Sequence, residues 1–206
     1  MRRRYFIKKV ILFSLSLVIL KTKIMANSLF KPFNLVNGIF VNNYVSHKSS
    51  FKDFWRWRRE SSRPEPIAFP VVENDPEYLK SNKSEKTITW IGHSTFLLQI
   101  NGINILTDPH FTKRASPLSF MGPSRTTPPG LRIEELPFID FVLISHNHYD
   151  HLDSKTIQLL LKKQNVNQPK FLVPLKLKDF ISKLGARNVL EHEWWQMTKF
   201  KNLEIH

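Results

Sequence analysis

The stretch Ser145–Asp153, which reads SHNHYDHLD, decides how this sequence folds and what it can do. It follows directly on the apolar run Phe141–Ile144, which is typical of a strand buried on both faces. Three histidines and an aspartate within six positions would be costly to crowd together at such a strand end without a cation that neutralises them. The pattern therefore predicts a metal site.

The spacing indicates how the four side chains divide between metal ions. His146 and His148 are two positions apart, and in extended backbone such side chains project to the same side, where their ring nitrogens can bind one ion. Asp150 and His151 follow at once, and a turn there would bring both to a second ion. Histidine and carboxylate ligands suit zinc, and paired metal ions catalyse displacement at phosphorus. We therefore predict a two-metal site with zinc as the cofactor and with Asp150 and His151 as the catalytic residues.

The surrounding sequence alternates between strand and helix patterns, which indicates an α/β fold. Asn101-Gly102 lies between two strand patterns and predicts a hairpin turn. A Pro-rich loop over residues 109–137 is long enough to be functional. Strands are predicted over 87–91, 95–100, 103–107, 141–144, 171–173, 188–190 and 202–205, and helices over 154–163, capped by Ser154, and 176–184, ended by Gly185.

Further motifs resemble one branch of a known superfamily. H-x-H-x-D-H after an apolar strand resembles the signature of the metallo-β-lactamase superfamily. Over about residues 85–200, the chain is similar to the N-acyl-phosphatidylethanolamine-hydrolysing phospholipase D family. The matching motifs are WIGHST (90–95), LTDP (106–109), RASP (114–117), MGP (121–123), ELPFID (135–140), NVLE (188–191) and Trp194-Trp195.

The resemblance implies a metallo-β-lactamase-type αββα sandwich with two zinc ions at its edge. It implies that His146 and His148 bind one zinc ion, and that Asp150 and His151 bind the other. The family pattern also contains a third histidine, a bridging aspartate and a later histidine that have no counterpart in these 206 residues. We therefore expect the chain to be the N-terminal half of the sandwich, inactive alone unless a complementary C-terminal polypeptide completes it.

Other polar residues have weaker assignments. By the resemblance, Asp108 would support the ligand loop through hydrogen bonds, and His93 would lie near the site. No ligand role is predicted for His110, His192 or His206, which we expect to be surface or core residues.

Three regions are expected along the chain. Residues 1–26 combine basic residues with the apolar run Val10–Leu20 and predict a signal peptide or short membrane anchor. This favours a membrane-associated, periplasmic or secreted protein over a cytoplasmic one. Residues 27–86 are expected to form an irregular arm with short helices, and residues 87–206 the N-terminal part of the metallo-β-lactamase domain.

Charge and composition limit the kinds of site and of binding partner that the chain can have. The absence of cysteine excludes disulfides, cysteine zinc sites and thiol nucleophiles. A net charge of +14 indicates an anionic partner, and a signal or anchor segment favours phospholipid and a membrane surface over nucleic acid. The segment Phe51–Arg59 mixes aromatic and basic residues; it could lie at a lipid interface, stack bases, or pack its rings on the domain.

Three functional hypotheses follow. The first is a phosphodiesterase that releases phosphatidic acid and an N-acylethanolamine from N-acyl-phosphatidylethanolamine-like lipids. The second is another hydrolase on the same fold, either an RNA nuclease or a lactonase. The third is a non-catalytic, membrane-associated remnant.

Overall fold

The structure is a computed structural model that describes residues 35–42, 44, 50–62, 72–118, 120–200 and 202–206. The chain divides into two compact units, one made of residues 1–62 and 198–206 and the other of residues 63–197. The predicted signal or anchor segment over residues 1–26 lies outside the described residues. None of the helices in the described ranges combines the length and apolar character needed to cross a bilayer.

The described residues contain helices and short strands in the following order. They are β1 (Leu35–Val36), β2 (Ile39–Phe40), α1 (Phe51–Glu60), α2 (Pro76–Ser81), β3 (Thr87–Gly92), β4 (Thr95–Ile100), β5 (Ile103–Thr107), a 3₁₀ turn (Ile133–Glu135), β6 (Phe141–Leu143), α3 (Ser154–Lys163), β7 (Lys170–Pro174), α4 (Lys178–Lys183), β8 (Val189–His192), β9 (Thr198–Phe200) and β10 (Leu203–Ile205).

The larger unit is built on a six-stranded mixed sheet, β3 to β8, whose strands are ordered as they occur in the chain. β3, β4 and β5 are antiparallel, whereas β5 to β8 are parallel. The predicted hairpin turn at Asn101-Gly102 is confirmed, and both residues have positive φ (53° and 72°), as a two-residue turn between twisted strands requires. This central mixed sheet confirms the α/β class and agrees with a metallo-β-lactamase fold.

One face of the sheet forms the core with α3. Side chains alternate between the two faces of a strand, so residues that neighbour each other across strands share a face. The residues from the sheet are Leu97, Leu106, Val142 and Phe171, and those from α3 are Ile157, Leu160 and Leu161; all are buried in one cluster.

The smaller unit is described by itself. β1 and β2 form an antiparallel hairpin, as do β9 and β10. Helix α1 has no buried residue. None of the aromatic rings of Phe51–Arg59 is buried within the described part of the smaller unit.

Several details differ from the sequence prediction, and one of them is the β1–β2 hairpin, since residues 27–86 were expected to form an irregular arm with short helices. Ser154 is the first residue of α3 and not its cap, because the Asp153 carboxylate accepts the backbone N–H groups of Lys155 and Thr156. The predicted helix over 176–184 is limited to Lys178–Lys183, with Gly185 in the left-handed region (φ 107°) beyond its end. Strand β9 was not predicted, because Thr198-Lys199-Phe200 is short and contains one apolar residue.

Two adjacent leucines of α3 provide a test of the core. Leu160 is 1% exposed and Leu159 is 42% exposed. We expect Leu160→Ala to lower the free energy of unfolding by about 2–5 kcal/mol, through lost apolar burial and a cavity. Chemical denaturation measures it, with Leu159→Ala as the matched control for helix propensity. Equal losses in the two variants would contradict the packing of α3 on the sheet.

Candidate metal centre

The topology collects the candidate ligands at one edge of the sheet. Carboxyl ends of parallel strands meet at the same edge, so Asp108 after β5 and Ser145–Asp153 after β6 lie side by side. β4 is antiparallel to β5, so the β3–β4 turn, which carries His93, lies at that edge as well. A segment of the loop after β5 adds a buried histidine, His110.

The Asp108 carboxylate joins β5 to the ligand loop. Its Oδ1 accepts the backbone N–H of Ser145 at 2.7 Å, and its Oδ2 accepts the Ser145 hydroxyl at 2.7 Å and Nδ1 of His151 at 2.8 Å. Asp108 is buried, and its own backbone N–H donates to the carbonyl of Leu143 at 2.8 Å. The structure thus places Asp108 where the resemblance expected it, beneath the loop that carries the ligands.

These hydrogen bonds assign the tautomers of two histidines. The Ser145 hydroxyl donates its proton to Asp108 and can therefore only accept from Nδ1 of His146, which lies 2.9 Å away. His151 also carries its proton on Nδ1, because that atom faces the Asp108 carboxylate. In a neutral ring whose proton is on Nδ1, Nε2 is the nitrogen that can bind a metal ion.

The first pair of ligands has the separation that one metal ion requires. Nε2 of His146 and Nδ1 of His148 lie 3.1 Å apart. Two nitrogens bound to one tetrahedral zinc ion at 2.0–2.1 Å would be about 3.3 Å apart. The two rings therefore come together as the i, i+2 spacing predicted, and the donor set fits a divalent ion.

A turn brings Asp150 and His151 back toward the first pair. The carbonyl of His148 accepts the backbone N–H groups of His151 (3.0 Å) and Leu152 (2.8 Å), and the buried Leu152 side chain anchors the turn in the core. Nε2 of His151 lies 3.8 Å from Oδ2 of Asp150. The rings of His146 and His151 are in contact, with centroids 4.0 Å apart, so all four predicted ligands form one cluster.

His93 belongs to this cluster more closely than the sequence indicated. Its Nε2 lies 2.9 Å from Oδ2 of Asp150. One ligating atom each from His93, Asp150 and His151 lies within 4.8 Å of the other two, which is compatible with a shared metal ion. The motif WIGHST placed His93 near the site, but its contact with Asp150 depends on the β3–β4 turn and could not be derived from spacing.

The Arg125 side chain lies against the β3–β4 turn and is bound to the loop after β5. Its guanidinium donates to the backbone carbonyls of His110 and Thr112. A Cβ atom added to Gly92 would lie 2.6 Å from Nη1 of Arg125, and Gly92 has a φ of 146°. Only glycine fits there, so the turn that presents His93 depends on the glycine of the motif.

The local electrostatics favour the metal-binding forms of the ligands. Burial, followed by the neighbouring rings of His151 and His148, lowers the pKa of His146, so that this ring is neutral at pH 7. Burial alone would raise the pKa of Asp150. A backbone hydrogen bond and the neighbouring His151 and His93 outweigh that effect and lower the pKa, so the carboxylate stays ionised.

The remaining histidines differ in their surroundings. His110 is buried, its Nδ1 lies 3.3 Å from Nη2 of Arg125, and its Nε2 is buried with no hydrogen-bond partner in the described part of the chain. Burial, followed by the Arg125 charge, lowers the pKa of His110. His192 is partly buried at the end of β8, and His206 is exposed in the hairpin of the smaller unit.

Comparisons with known proteins show the family to which the chain belongs. Residues 87–206, more than half of the chain, match the model of the family described as the Beta-lactamase superfamily domain. An uncharacterized protein of Mycobacterium tuberculosis is 37% identical over 150 residues, which are 72% of this chain and 39% of that protein. N-acyl-phosphatidylethanolamine-hydrolyzing phospholipase D 1 of Caenorhabditis elegans is 40% identical over 118 residues, which are 54% of this chain and 32% of that protein.

Solved structures give a more distant likeness. A possible metal-dependent hydrolase from Veillonella parvula is 20% identical, with a TM-score of 0.44 over 57% of this chain and 45% of that one. The chain thus spans between about a third and a half of each of these proteins.

Asp108→Asn tests the support of the ligands. The amide oxygen can replace only one acceptor atom, so the hydrogen bonds that fix the His146 and His151 tautomers are disrupted. We expect the affinity of the full chain for zinc to fall about ten- to a hundredfold, measured by competition with a chromophoric chelator. Asp140→Asn is the matched control. Asp140 also accepts a backbone N–H, that of Asn104 at 2.9 Å, but it lies at the end of the strands away from the candidate ligands. Unchanged affinity in Asp108→Asn would contradict the assigned role.

His93→Ala tests the contact with Asp150. Without the ring, the Asp150 carboxylate loses the partner that fixes its orientation, and we expect zinc affinity to fall about tenfold or more. The glutamine variant, which retains a donor, should recover part of the loss. Calorimetric titration of the full chain measures both, with His206→Ala as a control for the loss of an exposed histidine. If His93→Ala and His206→Ala bind zinc alike, His93 has no part in the site.

Proposed function

Because the chain belongs to the metallo-β-lactamase superfamily of metal-dependent hydrolases, we propose that its substrates are phosphodiesters of the N-acyl-phosphatidylethanolamine type. The observation that carries the proposal is the cluster around Asp108, in which Nδ1 of His151 faces the Asp108 carboxylate at 2.8 Å and Nε2 of His146 lies 3.1 Å from Nδ1 of His148. We propose zinc as the metal, in two positions.

Each ligand has a defined task in this proposal. His146 and His148 hold one ion, and Asp150 and His151 hold the other, with Asp150 and His151 as the catalytic residues. His93 orients the Asp150 carboxylate, and Asp108 fixes the two rings. Bound ions at such a site supply a hydroxide nucleophile at neutral pH and offset charge on the phosphoryl oxygens.

The reaction balances as a hydrolysis. The oxygen of water becomes bonded to phosphorus, and the bond between phosphorus and the ethanolamine oxygen breaks. One proton of the water ends on the leaving oxygen, so that the products are a phosphatidic acid and an N-acylethanolamine.

Two observations support a lipid substrate over other substrates of the fold. The C. elegans protein, named for this phospholipase activity, is 40% identical over 118 residues. The chain also has 31 basic and 17 acidic residues, and this excess favours an anionic headgroup. RNA shares that negative charge, and a lactone does not, so both are included in the test.

The decisive experiment uses a chimera, because the chain spans only part of its relatives. In the chimera, the segment of the C. elegans protein that matches this chain is replaced by the corresponding residues of this chain. The chimera is assayed beside the 206-residue chain itself. With zinc and water enriched in ¹⁸O, we expect the chimera to form N-acylethanolamine and to place ¹⁸O in phosphatidic acid. Lipid extraction and mass spectrometry measure both products.

A chimera that carries His148→Asn is the matched control, and we expect it to lose at least about a hundredfold in rate, as removal of a metal ligand should. Lys155→Gln, an exposed change outside the ligand cluster, should leave the rate unchanged. A zinc-loaded chimera that leaves the lipid intact would contradict the proposed substrate. If that chimera instead cleaves RNA or a lactone, the corresponding hydrolase is favoured.

A further inference from the structure

Helix α1 exposes a concentration of aromatic side chains that the metal centre does not explain. The exposed fractions of Phe51, Phe54, Trp55 and Trp57 are 75%, 47%, 54% and 63%. Large aromatic side chains are normally buried, since each carries a large apolar surface. A contiguous exposed group of them indicates an interaction surface.

The four rings form one continuous surface, which we call the aromatic face. Residues 51, 54 and 55 share one side of the helix by their i, i+3, i+4 spacing, and Trp57 extends it. The centroids of Phe51 and Phe54 are 6.1 Å apart, those of Phe54 and Trp55 are 5.9 Å apart, and those of Phe54 and Trp57 are 6.0 Å apart. The rings are therefore neighbours in one continuous apolar group.

Basic residues flank the aromatic face. Lys52, Arg56 and Arg59 follow i, i+4, i+7 spacing and form a basic stripe along another side of the helix. Arg58 lies on the same side as the aromatic rings, and its long side chain can extend its charge away from an apolar phase. The four basic and two acidic residues of α1 give it a net charge of +2.

The helix is formed before any partner is bound. The Ser50 hydroxyl accepts the backbone N–H of Asp53 at 3.2 Å, and the Asp53 carboxylate accepts the backbone N–H of Ser50 at 3.0 Å. This reciprocal capping box satisfies donors that would otherwise lack partners at the start of the helix. The cap favours the helical form of α1, which places the four aromatic rings together.

We infer that α1 docks on an anionic lipid surface, with the aromatic face in the interface and the basic stripe against the headgroups. Tryptophan is enriched at membrane interfaces, and basic residues beside an apolar helix face bind anionic lipids. The charge of α1 complements such a surface. The inference does not depend on hydrolysis, since it concerns a unit of the chain other than the one that carries the metal centre.

The absence of cysteine allows the test to be made on the full chain. A single cysteine with an environment-sensitive fluorophore is placed at Phe51 on the aromatic face, at Glu60 elsewhere on α1, or at Lys162 on the exposed side of α3. Each protein is mixed with phosphatidylcholine vesicles with or without phosphatidylglycerol, and flotation verifies binding. A spin label near the headgroup end of the lipid chains quenches any fluorophore that enters the interface.

On vesicles that contain phosphatidylglycerol, we expect the emission of the fluorophore at position 51 to shift to the blue. We expect its quenching to be several-fold stronger than that at position 60, and no quenching at position 162. Vesicles of phosphatidylcholine alone should give none of these responses. Arg56→Gln with Arg59→Gln should weaken the response at 51 about tenfold or more, since each basic residue contributes about 1 kcal/mol near an anionic surface. Lys155→Gln with Lys162→Gln is the matched charge control and should have no effect.

The inference is overturned if the full chain does not float with anionic vesicles, or if floated protein shows no quenching at 51. It is also overturned if quenching at 51 equals that at 162, or if the fluorophore at 51 responds to single-stranded RNA and not to vesicles. The assay contains no N-acylated lipid, so its failure and a failure of the proposed hydrolysis are separate results.

Discussion

The Asp108 carboxylate is the constraint on which the metal centre depends. It accepts three hydrogen bonds, from the backbone and hydroxyl of Ser145 and from the ring of His151. These bonds join β5 to the loop after β6 and fix, directly or through Ser145, the tautomers of two rings. A buried carboxylate with fewer partners would be costly, so the loop is held in the one arrangement that satisfies Asp108. In that same arrangement, Nε2 of His146 lies 3.1 Å from Nδ1 of His148, and the rings of His146 and His151 are in contact.

The sheet topology brings Asp108 and the ligand loop together without long connections. The parallel part of the sheet places the ends of β5 and β6 side by side, and the antiparallel part returns the β3–β4 turn to the same edge. The apolar side chains of Leu106 and Val142, adjacent across these strands, are fully buried and hold the strand ends in register. Rigidity at the site is therefore a consequence of core packing directly behind it.

Much of this centre was predictable because the ligands are close in sequence. The i, i+2 spacing of His146 and His148 fixed their relation, and the Asn101-Gly102 turn followed from local backbone preferences. The contact of His93 with Asp150 was not predictable, since it joins residues 57 positions apart through the sheet topology. Asp153 rather than Ser154 caps α3 because the carboxylate also accepts Thr112 N–H, a contact outside the local sequence. The periodicity of α1 predicts an amphipathic helix but is the same whether its rings pack on protein or remain exposed.

The most direct test of the account is the metal content of the purified 206-residue chain after dialysis against a zinc buffer, measured by plasma mass spectrometry. The matched protein carries His146→Ala and His148→Ala and is shown by circular dichroism to keep its fold. The account predicts that the native chain retains zinc and that this variant retains clearly less. Equal zinc in the two proteins, or none in the native chain, would contradict the claim that the stretch after β6 is a metal centre.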